Sequence, residues 1–251
     1  MIDHLSFSSI SLYLDCPEAW RRKYLAQEPT VVSPALVFGS AFHDTVEQHL
    51  ITPTDLLQTW QEKWTARTEG QTIDWGLDTP EQHCAEGLRV LGEPKIQQAI
   101  AGMTVAHDEH GPCVERKITL NVPGVLVSVI GYIDLIAADH VPGDIKTSSR
   151  SWSADKAQGN LQSLFYLAAL NQAGIHSHHW TFRHYIFVKT KAPQAQILEH
   201  RHQPGELFFL FKMIQGVWTA IEREVFPVNP TGWRCSPTWC DFYANCRGKY
   251  G

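Results

Sequence analysis

The chain has 251 residues, 43% hydrophobic and 11% aromatic, with a formal net charge of -5 from 21 Lys+Arg against 26 Asp+Glu. That composition supports a sizeable core and excludes a collagen, a disordered tail and a coiled coil, while a pI near 6.2 excludes a uniformly basic nucleic-acid binder. No run of about 18 apolar residues occurs, and Asp3 and His4 stand where a signal peptide would need apolar residues, so a cytoplasmic setting with no membrane partner is expected.

The charge is uneven. Residues 44–115 hold 13 acidic against 4 basic residues, and the remainder holds 17 basic against 13 acidic. This predicts an acidic helical flank facing away from any nucleic-acid path, which the basic remainder would supply.

Residues 8–25 predict two short helices, with Pro17 opening the second. Leu36, Val37, Ala41, Phe42, Val46 and Leu50 recur at helical spacing over 35–50. Helices are also expected over 54–67 and 80–105, with Trp60 and Trp64 packing a core. The pattern then alternates over 113–120. Val114, Arg116, Ile118 and Leu120 share one face of a strand, and Glu115 falls on the opposite face, where an exposed carboxylate is the plainer reading and support of an acidic site the alternative. Residues 125–137 are rich in β-branched side chains, as in a buried strand. Val141-Pro142-Gly143 reads as a break before Asp144-Ile145-Lys146-Thr147. One helix over 154–172, strands over 179–190 and 194–202, a helix over 205–224 and a loop-like tail from Pro227 follow. The order predicts an α/β fold with a central mixed sheet flanked by helices, as one domain over 1–251 with a helical insertion at 51–110.

Two groups of residues carry chemistry. Asp134 ends the Gly131-Tyr132-Ile133-Asp134 segment, and ten residues later Asp144 and Lys146 project to one face of a strand. A hairpin would bring the carboxylates together, and two carboxylates call for a hard divalent cation such as Mg²⁺ or Mn²⁺. An isolated Asp-x-Lys is more often a solvated surface pair. Here a helix follows with Gln162-Ser163-Leu164-Phe165-Tyr166, and an earlier segment reads Phe38-Gly39-Ser40-Ala41-Phe42-His43. Together these motifs resemble the PD-(D/E)XK nuclease superfamily, in its RecB-like branch. The resemblance implies a restriction-endonuclease-like core. It also implies a metal site from His43, Asp134, Asp144 and the backbone carbonyl of Ile145. Lys146 would act on the attacking water, and Gln162 and Tyr166 on the substrate strand.

The six cysteines are Cys16, Cys84, Cys113, Cys235, Cys240 and Cys246. Three within a dozen residues near the C-terminus suggest metal or cluster ligation, against the plainer reading of buried thiols. The segment from Tyr13 through Cys16-Pro17 to Tyr24, with the late cysteines among Trp233, Pro237, Trp239 and Tyr243, resembles iron–sulfur nucleases of the AddB type, including CRISPR-associated and phage relatives. It implies a 4Fe-4S cluster on Cys16, Cys235, Cys240 and Cys246, stapling the N- and C-terminal segments; tetrahedral zinc is the alternative. Cys84 and Cys113 have no partners at ligand spacing and read as free thiols. Arg21, Arg22 and Lys23, set among Trp20 and Tyr24, suit a single-strand path or a snorkelling helix face.

The resulting expectation is a metal-dependent deoxyribonuclease, an exonuclease on single-stranded or end-containing DNA. No Gly-x4-Gly-Lys-Ser/Thr is present, so a helicase or a recombination or adaptation protein would be a separate partner. A non-catalytic DNA- or protein-binding module with a structural metal is the second reading, and a redox iron–sulfur protein the third.

Overall fold

The computed structural model describes residues 2–248. In chain order its elements are β1 (His4–Ser6), α1 (Phe7–Asp15), α2 (Pro17–Trp20, continuing as a π-turn through Leu25), α3 (Pro34–Ile51), α4 (Leu56–Thr68), α5 (Pro80–Leu91), α6 (Pro94–Ala101), the short β2 (His107–Asp108) and β3 (Gly111–Pro112), β4 (Val114–Leu120), β5 (Ser128–Ile136), β6 (Pro142–Ser148), α7 (Ala154–Gln158), α8 (Leu161–Gln172), β7 (Thr181–Val188), β8 (Gln194–Arg201), α9 (Glu206–Glu222) and α10 (Tyr243–Gly248). The sheet runs β1-β5-β6-β7-β8, with β4 also on β5. It is mixed: β1 with β5 and β6 with β7 are parallel, while β5 with β6 and β7 with β8 are antiparallel. An α/β fold with a mixed central sheet and flanking helices is therefore present.

Contacts gather the chain into two compact units, each assembled from separated stretches: Met1–Val31, Ile118–Gly131 and Pro204–Gly251, and Val32–Lys117 with Tyr132–Gln203. In the first, Ser6 caps α1 by a reciprocal capping box with Ser9. Tyr13, Trp20 and Phe226 form an aromatic cluster, with Trp20 stacked on Phe226 at 5.8 Å. Asn229 Nδ2 donates to the Asp15 carbonyl at 2.9 Å, which fastens the C-terminal segment beside Cys16.

In the second unit, α3 begins at a Ser33 cap with Pro34 in the first turn, where a missing N–H costs nothing. Its Phe38, Ala41, Phe42 and Val46 are fully buried. They meet Trp60 and Trp64 of α4, Val90 and Leu91 of α5, Ile96 and Ile100 of α6, and Leu135, Ile145, Tyr185 and Phe187 of the sheet. The stretch without motifs, residues 51–110, thus supplies much of the core that backs β6. A Cβ on Gly87 would lie 2.0 Å from the Trp60 ring, so α5 lies against that indole as only glycine allows. On the opposite sheet face α8 packs through Tyr166 on Phe182 and Ser163 on His200.

The tail from Pro227, expected to be loop-like, carries the helix α10, and three further boundaries differ from the sequence reading. The expected helix over 80–105 is two, because Gly92 ends α5 and Pro94 starts α6. The helix over 154–172 is also two; Gly159 ends α7, and Asn160 restarts the chain by accepting from the Gln162 amide. Pro142 and Gly143 do not break the chain but open β6. Proline is tolerated at the first strand residue, and glycine is needed at 143 because a Cβ there would come within 2.7 Å of the Tyr185 ring.

Candidate active site

Strands β5 and β6 form the scaffold. Their ladder pairs Ile136 with Pro142 and Leu135 with Gly143. One step further the same register sets Asp134 against Asp144. There the Asp134 side chain takes over a backbone donor: its Oδ2 accepts from the Ile145 amide at 2.6 Å. Both carboxylates are buried, at 8% and 1% exposure, and a buried carboxylate is costly unless paired. Lys146, two residues on, shares the face of Asp144 and puts its Nζ 2.7 Å from Asp144 Oδ1. Burial would raise Asp144, but the Lys146 ammonium and then His184 hold it below the usual carboxylate range. Burial works against the Lys146 charge in turn, and Asp144 and Asp134 hold its pKa above the ordinary value.

His43 enters from α3. Its Nε2 lies 3.2 Å from Asp134 Oδ2 and 3.1 Å from Glu115 Oε1, and its Nδ1 3.9 Å from Glu47 Oε2. Burial alone would push this imidazole down; the hydrogen bond and charge of Asp134, with the charges of Glu115 and Glu47, outweigh it and hold the pKa at about 9. Burial raises Glu115, and the charges of Asp134, Glu47 and Asp44 add to that against His43, bringing it to about 7.

Among the described residues, His43, Glu115 and Asp134 have ligand atoms within 4.8 Å of one another, as do His43, Asp44 and Glu47. Carboxylate oxygens with one imidazole suit Mn²⁺ or Mg²⁺, so this donor set fits a hard divalent ion. Asp144, Ile145 and Lys146 line the same open cleft of ≈ 650 Å³, together with Gly39, Ser40, Arg67, Tyr132 and Gln162. Gln162 donates to the Tyr166 hydroxyl at 2.6 Å. Burial, then the charges of Asp144 and Asp134, push that hydroxyl's pKa up, so Tyr166 stays neutral.

The PD-(D/E)XK nuclease superfamily matches over residues 4–247, a span that takes in every one of these groups. The chain belongs to that superfamily. No protein of curated function matches it. Among solved structures it is similar to a "putative exonuclease" from Eubacterium rectale at 12% identity and a TM-score of 0.61, covering 97% of this chain and 88% of that one. It also aligns with SSO0001 at 12% identity and a TM-score of 0.36, over 96% of each chain.

Of the residues the resemblance implied, His43, Asp134, Asp144, Ile145, Lys146 and Gln162 line one cleft, with two qualifications. Asp144 is in neither group of three close ligand atoms, and Tyr166 lies beneath Gln162 rather than on the cleft wall. Glu115 is not on an exposed face but at the site. Its φ of +48° places it in the left-handed region, which interrupts the strand's alternation and turns the carboxylate toward His43. Asp44, Glu47 and Arg67 also line the cleft, and Arg67 pairs with Asp44 at 2.6 Å. Glu47 was findable, one helical turn beyond His43; the left-handed residue at 115 leaves no mark in the sequence.

In the other unit, Cys16, Cys235, Cys240 and Cys246 line one small cavity with Arg22, Arg234 and Arg247. All six cysteines are free thiols, and no three sulfurs among the described residues lie within 4.8 Å of one another. Cys84 and Cys113 lie outside this cavity. In the basic stretch beside Cys16, Arg22 and Trp20 are turned inward while Lys23 is exposed. Arg22 is buried between Glu18 and Glu28, Arg21 also pairs with Glu18, and Trp20 is 1% exposed. No helix among the described residues is long and apolar enough to cross a membrane.

Proposed function

We propose that the chain is a Mg²⁺- or Mn²⁺-dependent deoxyribonuclease that acts as an exonuclease on single-stranded or end-containing DNA. The observation that carries this reading is the Lys146–Asp144 pair at 2.7 Å, set beside Asp134 and His43 in one open cleft. His43, Asp134, Asp144 and the Ile145 carbonyl are the ligands in this reading, with Glu115 added from its position. A bound divalent ion supplies Lewis acidity to the phosphodiester and lowers the pKa of water. The chain's own groups do the rest. Lys146, kept cationic by two carboxylates, orients the attacking water and offsets charge on the phosphate rather than accepting a proton. Gln162, held by Tyr166, presents its amide to the substrate strand. Water adds to phosphorus, the P–O ester bond breaks, and the departing oxygen takes up a proton.

Cys16, Cys235, Cys240 and Cys246 line one cavity, and in this reading they hold a 4Fe-4S cluster, with tetrahedral zinc as the alternative. The Arg247 guanidinium stands 3.6 Å from Cys235 Sγ at the mouth of this group. A chain cut from its nuclease role would still need these thiols, so the two assignments are tested separately. End-labelled single-stranded DNA with Mn²⁺ should be degraded by the wild type and at least about 100-fold more slowly by Lys146→Ala. Equal rates would remove the site. Anaerobically purified protein should hold about four irons per chain, and stoichiometric zinc without iron would overturn the cluster.

A further inference from the structure

Behind Asp144 lies a buried imidazole that the nuclease reading leaves without a role. His184 on β7 is the sheet neighbour of Asp144 on β6, and both side chains are 1% exposed. The two oxygens of Asp144 differ. Oδ1 accepts from Lys146 at 2.7 Å, while Oδ2 is buried without a hydrogen bond and faces His184 Nδ1 at 3.5 Å. Neither nitrogen of His184 has a hydrogen-bond partner elsewhere.

A buried polar atom left unpaired is costly. Two complementary ones face each other here, and a shift of a few tenths of an ångström joins them. The imidazole is otherwise fixed by packing. It stacks on His200 at 5.2 Å, stands edge-on to Phe182 at 5.1 Å, and is covered by Trp152 at 5.3 Å. Trp152 is itself clipped in place: its amide donates to Gln196 Oε1 at 2.9 Å, and its carbonyl accepts from Gln196 Nε2. His200 is tied in turn to Ser163 of α8 at 3.1 Å. The ring is thus packed on three sides, and its Nδ1 faces Asp144 Oδ2.

We propose that His184 is a positioning residue for Asp144, donating from Nδ1–H to Oδ2 and so holding Oδ1 toward Lys146 and the metal cleft. It rests on the nuclease reading for the role of Asp144. Carboxylates that hold metals are commonly oriented by such outer partners, and losing one costs about 10–100-fold in metal affinity or activity.

Three substitutions in the full chain separate donation from bulk. His184→Asn puts an amide donor where Nδ1 sits, His184→Gln puts one near Nε2, and His184→Leu keeps apolar volume with no donor. Mn²⁺ affinity is read by electron paramagnetic resonance without DNA, and thermal melting checks each fold. His184→Leu and His184→Gln should bind Mn²⁺ about 10–100-fold more weakly, while His184→Asn stays within about threefold of wild type. Equal affinities for the Asn and Gln variants, or wild-type affinity in all three, overturn the proposal. That Asn-against-Gln comparison decides even if the leucine variant does not fold. A wild type that binds Mn²⁺ but leaves DNA intact overturns the nuclease reading alone; one that binds no Mn²⁺ overturns both.

Discussion

His43 sits among three carboxylates, with Asp134 and Glu115 both within 3.2 Å of Nε2. With its pKa at about 9 it is an imidazolium at neutral pH, and in the metal-free protein it supplies part of the positive charge that those acids require. The consequence for stability has a definite sign. His43 is raised from 6.5 to about 9 on folding, so its stabilisation is fully present below pH 6.5 and lost as pH rises through 9. Glu115 is raised from 4.5 to about 7, so folding is favoured most below pH 4.5 and the benefit is lost through pH 7. Both groups make the folded chain the better proton binder across that window. The melting temperature in EDTA should therefore fall between pH 6.5 and 9 more steeply for the wild type than for His43→Gln. Parallel curves would show that the imidazole is not held charged by its neighbours.

At the scale of elements, the second unit depends on close approaches that only glycine permits. Helix α5 crosses the fully buried Trp60 at Gly87, where an added methyl would lie 2.0 Å from the ring. Trp60 cannot yield, because Phe38, Phe42 and Trp64 pack it on other sides and its Nε1 donates to the Cys84 carbonyl at 3.0 Å. Alanine would normally favour a helix over glycine by about 1 kcal/mol. Overpacking of a core costs about 1–3 kcal/mol or more. The contact should win, so Gly87→Ala is expected to lower the urea midpoint despite its better propensity, and a raised midpoint would show α5 free to slide. Helical and strand periods were legible here because one face of each element is buried, as in α3, where Phe38, Ala41, Phe42 and Val46 fall on one stripe. Pro142-Gly143 was not legible, because the reason for glycine is the ring of Tyr185, a residue more than forty positions away on the neighbouring strand.

At the scale of the whole molecule, the uneven charge has a different meaning from the one the sequence suggested. The acidic stretch 44–115 was expected to face away from the chemistry, yet Asp44, Glu47 and Glu115 from that stretch line the cleft with Asp134 and Asp144. Against these five carboxylates stand Lys146, Arg67 and His43. The family resemblance pointed to His43, Asp134, Asp144 and Lys146, and all four line this cleft. The inward aim of Glu115 was not legible, because it comes from a left-handed residue, and that of Asp44 and Glu47 from how α3 packs. Such a cleft attracts cations and repels phosphate. Divalent ions should then be needed for strand binding as well as for cutting. Fluorescence anisotropy of labelled single-stranded DNA in Ca²⁺, chosen to bind without promoting rapid hydrolysis, should show affinity at least about tenfold above that in EDTA at matched ionic strength, since tenfold is only about 1.4 kcal/mol. At a pH above 7, where Glu115 is ionised, Glu115→Gln should narrow the gap by strengthening binding in EDTA, because it removes one repelling charge. Equal affinity in Ca²⁺ and EDTA would place the DNA-binding surface elsewhere on the chain and leave this cleft without a part in holding the strand.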